Sequence, residues 1–435
     1  MRRFLALLFC LALVLAVRPS VSSGPANILL LSVDTLRADR LGCMGYNQRT
    51  SPNIDRLVKK GTLFTNASTN VPLTNPSFAS LFTSRYPHEI GAIRNGIPMV
   101  DGIPTLALIM KKRGYHTAAV ISNWPLKRHL SKLDLGFDYY DDDFHEKRWV
   151  FFNSERDAEE VTDHAVKWIE AGPREPFFAW VHYSDPHAPY LQHKGFKFDS
   201  GGMNSSNYDS EVAYTDHSIG LLLDKLESTG LSSRTLIIFI SDHGESLGEH
   251  NYIGHGRDVY QPSLHVPFAL IGPGIAAGKR EGAGIQLLDL APTVLSYAGV
   301  RAKAPMEGLD LMPFIRGEAA WPERTLYFET YPGAAPQVPG AEKMLDKPIW
   351  VGSRHGTEKL LFSVRYQKWE KYDLASDPGE RSNLVNIRDE NFIAESDGFL
   401  SWFQGWQDKM VVGEINVMTE EDRRKFKALG YVDGP

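Results

Sequence analysis

Two segments, NILLLSV running into Asp34 and TLIIFIS running into Asp242-His243, are apolar at nearly every position. A strand with one wet face alternates apolar and polar residues; a run without alternation must be covered on both faces. That is the condition of strands in a parallel sheet sandwiched by helices. Open sheets of this kind bind ligands at the carboxyl ends of their strands, where these acids stand. A single Asp there would be explained as a cap on the following loop. Asp34, Asp242, His243 and the hydroxyl of Thr74 together supply enough oxygen and nitrogen donors to hold a divalent metal against a nucleophile.

The rest of the chain repeats the pattern. Apolar runs predict strands at about 27–33, 117–122, 177–182, 235–241 and 267–271. Helical periodicity falls between them, in SPNIDRLVKK, TLALIMKKRG, DAEEVTDHAVKWIEA and DSEVAYTDHSIGLLLDKLES. QLLDLAPTVLSYAG is a further helix, closed by Gly299. Strands alternating with helices predict an α/β fold with a mostly parallel sheet between helices, and 43% hydrophobic residues over 435 positions can fill its core. After about 325 the texture changes to a Pro/Gly-rich stretch and short runs (IWVGSRHG, KLLFSV, WEKYDL), which predict a smaller antiparallel C-terminal subdomain. Near the end Thr419 with Asp422 forms a capping-box pattern ahead of a helix stopped by Gly430.

Arg2 and Arg3 precede the apolar run FLALLFCLALVLAV, ended by Arg18-Pro19 and the small residues SVSSG. This predicts a secretory signal peptide over 1–23 and a secreted or periplasmic protein, with an uncleaved anchor as the alternative. Domains are expected at 24–325 (catalytic) and 326–435 (C-terminal), with no stable membrane span in the mature chain. Loss of Cys10 with the peptide leaves Cys43 alone, so no internal disulfide forms. With a mild formal charge of -6 and scattered Lys and Arg, no nucleic-acid partner is expected.

Several motifs make the reading specific. VDTLRADRLGCMGYNQRTSPNIDRLVKKGTLFTNAS, TNPSFASLFTSRYPHEIG, HYSDPHAPY, SDHGESLGEH, GHGRDVYQPSLHVPFALIGPG and WEKYDLASDPGERSNL occur in that order. In this order they resemble the sulfatase branch of the alkaline phosphatase superfamily over nearly all of the mature chain. The resemblance implies that Asp34, Asp242 and His243 bind one metal, with the Thr74 oxygen beside it. It places His187 and His255 as substrate-oxygen contacts and leaving-group acid, a role suited to imidazole. Arg257 would bind an anionic oxygen or form a surface salt bridge. Thr74 lies just ahead of a helical pattern, where free N–H groups and the helix dipole would favour an anionic group.

The departures from the family are polar groups at the sulfate site. Thr74 stands where sulfatases carry the Cys or Ser that becomes formylglycine, so no formylglycine is expected. Phe78 replaces the motif's Arg, Asn123 and Pro125 replace a Lys and a His, and Thr35 replaces a second metal-binding Asp. Asn123 is expected to give the substrate one hydrogen bond. The donor set predicts zinc or manganese, with calcium as the alternative. A second metal on Asp185, His187 and His255 is disfavoured, because residues two apart do not share a helix face.

The chain is therefore expected to be an exported, metal-dependent hydrolase of phosphate or sulfate esters acting through Thr74, on a small-molecule, glycan or lipid ester. A phosphoryl-group transferase of the same superfamily and a non-catalytic binder of sulfated or phosphorylated glycans are the rival readings. Specificity is assigned to loops, including HKGFKFDSGGMNSSNYDS; the ester and the oligomeric state are not legible.

Overall fold

The computed structural model describes residues 26–143, 155–332, 347–413 and 419–428. The expected signal peptide and the Gly430 helix stop lie outside them. The central sheet has eight strands: β1 (Asn27–Val33), β2 (Thr62–Phe64), β3 (His116–Val120), β4 (Tyr139–Asp141), β5 (Phe177–Tyr183), β6 (Thr235–Ser241), β7 (Phe268–Ile271) and β8 (Lys279–Glu281). Their spatial order is β8-β2-β7-β6-β1-β5-β3-β4. β1 pairs in parallel with both β5 and β6, and β3 joins β5 in parallel. β7, expected as one more strand of the set, runs antiparallel to both its neighbours.

The all-apolar strands sort their side chains between two cores. Ile28, Leu30, Phe178, Trp180, Ile238 and Ile240 face one side with Phe78, Phe82, Leu106, Met110, Leu290 and Val294. These last residues lie on α1 (Thr74–Thr83), α2 (Leu106–Lys112) and α3 (Leu290–Tyr297). Leu29, Leu31, Ala179, Val181, Ile237 and Phe239 face the other side, against Val161, Ala165, Ile219 and Leu222. The helices there are α4 (Ala158–Glu170) and α5 (Met203–Ser228). Burying both faces explains why β1 and β6 carry no alternation.

Register delivers the site. Val33 pairs with Ser241 on one side and Tyr183 on the other, so Asp34 and Asp242 leave neighbouring strands at the same level. Continuing the alternation from Ile28 and Leu30, and from Ile238 and Ile240, both acids fall on the α1 side of the sheet. Chain geometry has brought two carboxylates together from positions 208 apart before any side chain is considered.

Four strands, Thr325–Thr330, Trp350–His355, Glu358–Ser363 and Lys368–Asp373, form an antiparallel sheet. A helix over Glu390–Gln407 packs on it through Phe392, Phe399, Phe403 and Trp406. That helix was not expected; its apolar residues are mostly aromatic and scattered among Gly and Ser. The capping box forms as expected: Thr419 N–H donates to Asp422 Oδ2 (2.8 Å), and Asp422 N–H donates to Thr419 Oγ1 (3.1 Å). The expected loop HKGFKFDSGGMNSSNYDS is a loop only in its first half, since α5 already begins at Met203.

Candidate active site

Asp34, Thr74, Asp242 and His243 are all fully buried and meet at the carboxyl end of β1 and β6. His243 Nδ1–H donates to the Gly244 carbonyl (3.0 Å), which turns the Nε2 lone pair inward. Nε2 lies 3.7 Å from Asp34 Oδ1, 3.6 Å from Asp242 Oδ2 and 3.4 Å from Thr74 Oγ1. Among the described residues, Asp34 Oδ1 and Asp242 Oδ2 have no hydrogen-bond partner. Orphaned buried oxygens facing an imidazole lone pair, all acceptors, constitute a donor set for a divalent cation. Burial first, then the Asp242, Glu155 and Glu245 charges, raise the Asp34 carboxyl well above the usual range. Burial pushes Asp242 up to about 7. Burial, followed by His255, holds His243 well below the usual imidazole range, hence neutral and able to ligate.

Thr74 opens α1, and the amides there are already spoken for. Asn75 N–H donates to Asn95 Oδ1 (2.9 Å), Pro76 has none, and Ser77 N–H donates to the Leu73 carbonyl (2.8 Å). The expected cluster of free N–H groups is therefore not formed at these three positions. Ser77 Oγ donates to the Asp242 carbonyl (2.8 Å), locking the helix start to the end of β6. Thr35, in the place of a second acid, sits at a φ of 54°. That is a strained conformation for a β-branched residue. It is held by Thr35 N–H donating to Asp242 Oδ1 (3.3 Å) and Tyr208 O–H donating to the Thr35 carbonyl (2.7 Å).

The other departures are absorbed by the fold. Phe78 is fully buried, its ring 4.7 Å from Trp180 and 4.9 Å from His182, so the motif's cation is replaced by core. Asn123 Nδ2–H donates to Asp34 Oδ2, so its amide orients that carboxylate. His187, His255 and His243 form a row, with ring centroids 5.3 and 4.4 Å apart. His187 Nδ1–H donates to the Ala188 carbonyl (2.9 Å), and burial, then His255, lowers its pKa to about 3. His255 Nδ1 lies 3.1 Å from Glu245 Oε1, which fixes that ring. Arg257 is exposed and lies over the Tyr252 ring at 5.1 Å; among the described residues it makes no ion pair. Among the described residues, Asp185 does not group with His187 and His255 as metal ligands.

Three participants escaped the sequence reading. His182, fully buried on β5, points Nε2 towards Asp34 Oδ2 at 3.9 Å, while Nδ1 contacts Ser32 Oγ (3.0 Å). The alternation Phe178, Trp180, His182 was the signal that could have placed it on the α1 side. Glu245 and Glu155 reach the histidines only through tertiary contacts (Glu155 Oε1 is 3.4 Å from His187 Nδ1).

A sulfatase family model matches residues 26–300, and a model for the C-terminal region of N-sulphoglucosamine sulphohydrolase matches 248–396. An ulvan-active sulfatase of Formosa agariphila is 28% identical over 87% of this chain and 81% of its own. Two solved structures share the fold at about a fifth identity. A protein solved in complex with its substrate D-glucosamine-2-N,6-O-disulfate is 20% identical and superposes with a TM-score of 0.73 over 89% of this chain and 98% of its own. The phosphonate monoester hydrolase of Agrobacterium radiobacter is 21% identical, with a TM-score of 0.68 over 89% and 96%. The chain belongs to the sulfatase family, within the alkaline phosphatase superfamily, and is an ester hydrolase of that family.

Proposed function

We propose that this protein hydrolyses a monoanionic phosphoester, a phosphodiester or phosphonate monoester, with Thr74 Oγ1 as the attacking atom. The observation that carries the reading is the buried Thr74 hydroxyl set 3.4 Å from His243 Nε2, against the unpartnered oxygens of Asp34 and Asp242. A divalent cation held by Asp34, Asp242 and His243 would make that hydroxyl easier to deprotonate and would offset charge on the substrate's oxygens. Asn123 holds Asp34 in place for this, and Gly244 fixes the His243 tautomer.

Two arguments select the substrate charge and the element attacked. The family's Arg and Lys positions are Phe78 and Asn123, so the site has less positive charge to balance a dianion and suits a monoanion. A sulfate ester is also a monoanion, but attack by a simple hydroxyl would leave a sulfated threonine with no aldehyde hydrate to expel the sulfate. A threonine carrying the retained phosphoryl-ester or phosphonyl group has an ordinary exit by attack of water at phosphorus. The leaving alkoxide would take a proton from His255, whose ring Glu245 fixes; His187, held neutral by burial, serves as a substrate-oxygen contact.

A second reading, removal of a sulfate ester from a sugar, is favoured by the fold neighbour solved in complex with its substrate D-glucosamine-2-N,6-O-disulfate. The deciding experiment compares turnover of bis-aryl phosphodiester, aryl phosphonate monoester, aryl sulfate and sulfated glucosamine by metal-loaded protein. Faster turnover of the phosphorus esters, with a phosphoryl adduct on the Thr74 peptide, supports the proposal. Turnover of the sulfate esters alone overturns it in favour of the second reading. Export of the protein through the N-terminal peptide is part of the proposal; among the described residues no helix is long and apolar enough to cross a membrane.

A further inference from the structure

A second group of ligating side chains lies outside the Thr74 site. Asp185, His193 and Glu211 place one carboxylate oxygen each and an imidazole nitrogen within 4.8 Å of one another. Asp185 and Glu211 are buried, and His193 is partly exposed. Asp185 and His193 come from the loop after β5, and Glu211 from α5.

Each of the three is held in place by a neighbour. Ala158 N–H, at the start of α4, donates to Asp185 Oδ2 (2.7 Å). Leu191 N–H donates to Glu211 Oε1 (2.7 Å), leaving Oε2 to face His193 Nε2 at 2.7 Å. The His193 ring lies flat on Tyr214, with centroids 3.9 Å apart and planes 10° apart, and its backbone N–H donates to Ser210 Oγ (2.7 Å). Ligands whose far atoms are fixed by surrounding hydrogen bonds are the usual construction of a protein metal site. Charge points the same way. Two buried carboxylates side by side repel each other, and burying their charge is costly. A divalent cation with a neutral imidazole brings the triad to zero.

We infer that Asp185, His193 and Glu211 form a second, structural cation site that takes a zinc-like divalent ion. One imidazole nitrogen and two carboxylate oxygens are a zinc donor set, and the partly exposed His193 side leaves room for a water as fourth ligand. The ion would tie the loop that follows β5 to α5. Thr215 Oγ1 already donates to the Asp185 carbonyl (3.0 Å), and His187 lies two residues further along that loop. Cation binding here would therefore set the position of His187 without touching the substrate.

The inference is independent of what the Thr74 site hydrolyses, and metal counting separates the two. Protein stripped with a chelator, reloaded with zinc and desalted should carry two equivalents by elemental analysis. Asp242→Ala should keep one; His193→Ala and Glu211→Gln should each keep one; Asp242→Ala with His193→Ala should keep none. One equivalent in the parent that is lost in His193→Ala and kept in Asp242→Ala would still support this site, while removing the metal from the Thr74 proposal. Crystals of the zinc-loaded parent should show an anomalous peak between the three side chains, a readout that needs no variant. A parent holding one equivalent or none, with no anomalous peak at the triad, overturns the inference.

Discussion

Replacing Thr74 by Ala tests the chemistry most directly, because its structural and catalytic costs differ in size. The substitution removes one buried methyl, worth about 0.8 kcal/mol. It also removes a hydroxyl whose described side-chain contact is the 3.4 Å approach to His243 Nε2. That distance is at the outer limit of a hydrogen bond, so its loss costs at most about 1 kcal/mol. Ala at the first position of a helix returns a few tenths of a kcal/mol. The net, roughly 1–2 kcal/mol, is small against the usual 5–15 kcal/mol of a domain, so the variant should fold and melt only slightly earlier. Turnover should behave differently. Closing the covalent route should lower kcat at least about 10³-fold, near 4 kcal/mol of barrier, with residual activity from direct attack by water. The assay is kcat and KM on a bis-aryl phosphodiester at saturating metal, with melting temperature and bound metal measured on the same preparation. Thr74→Ser should keep part of the activity and form the phosphoryl adduct. A Thr74→Ala enzyme that binds metal and turns over at the parental rate would refute nucleophilic attack by this residue.

The remaining expectations are shorter. Zinc or manganese should support activity better than calcium, and Asp242→Ala should lose the active-site ion; stoichiometric calcium in active enzyme would contradict the donor-set argument. Asn123→Ala should weaken active-site metal binding by about 10–100-fold, read by titration of the stripped protein, because Asp34 Oδ2 loses its orienting donor. Burial lowers the His182 pKa to about 3. The unfolded chain therefore binds a proton there between about 6.5 and 3 that the folded chain refuses, and stability must fall as pH drops through that window. From pH 6.5 to 5 the loss should reach about 2 kcal/mol in denaturant titrations, and His182→Gln should flatten the slope. Exported protein should begin between Ser22 and Ala26 by N-terminal sequencing; material starting at Met1 would indicate an anchor instead.

The α/β architecture could be read from residues 27–33 and 235–241, since strands covered on both faces cannot alternate. Helical spacing between the apolar runs then requires parallel connections. The acids at the ends of those strands were equally legible, because strand ends are where such sheets leave polar groups. Other features depended on register and packing. Whether Asp34 lies beside Asp242 turns on Val33 pairing with Ser241, and a one-residue slip would have sent the acids to opposite faces. His182 resembles any residue in an apolar strand until β5 is aligned with Ser32 of β1. The amides at the start of α1 could not be known to be occupied until Asn95 arrived from twenty residues away. Nor could Phe78 be recognised as core, rather than a lost charge, until Trp180 and His182 closed around it. Local pattern determines which segments are strands and helices, since it follows from periodicity along one chain. The partners of a buried polar atom are set by segments distant in sequence, and only their packing decides whether it meets a donor, a cation or an apolar ring.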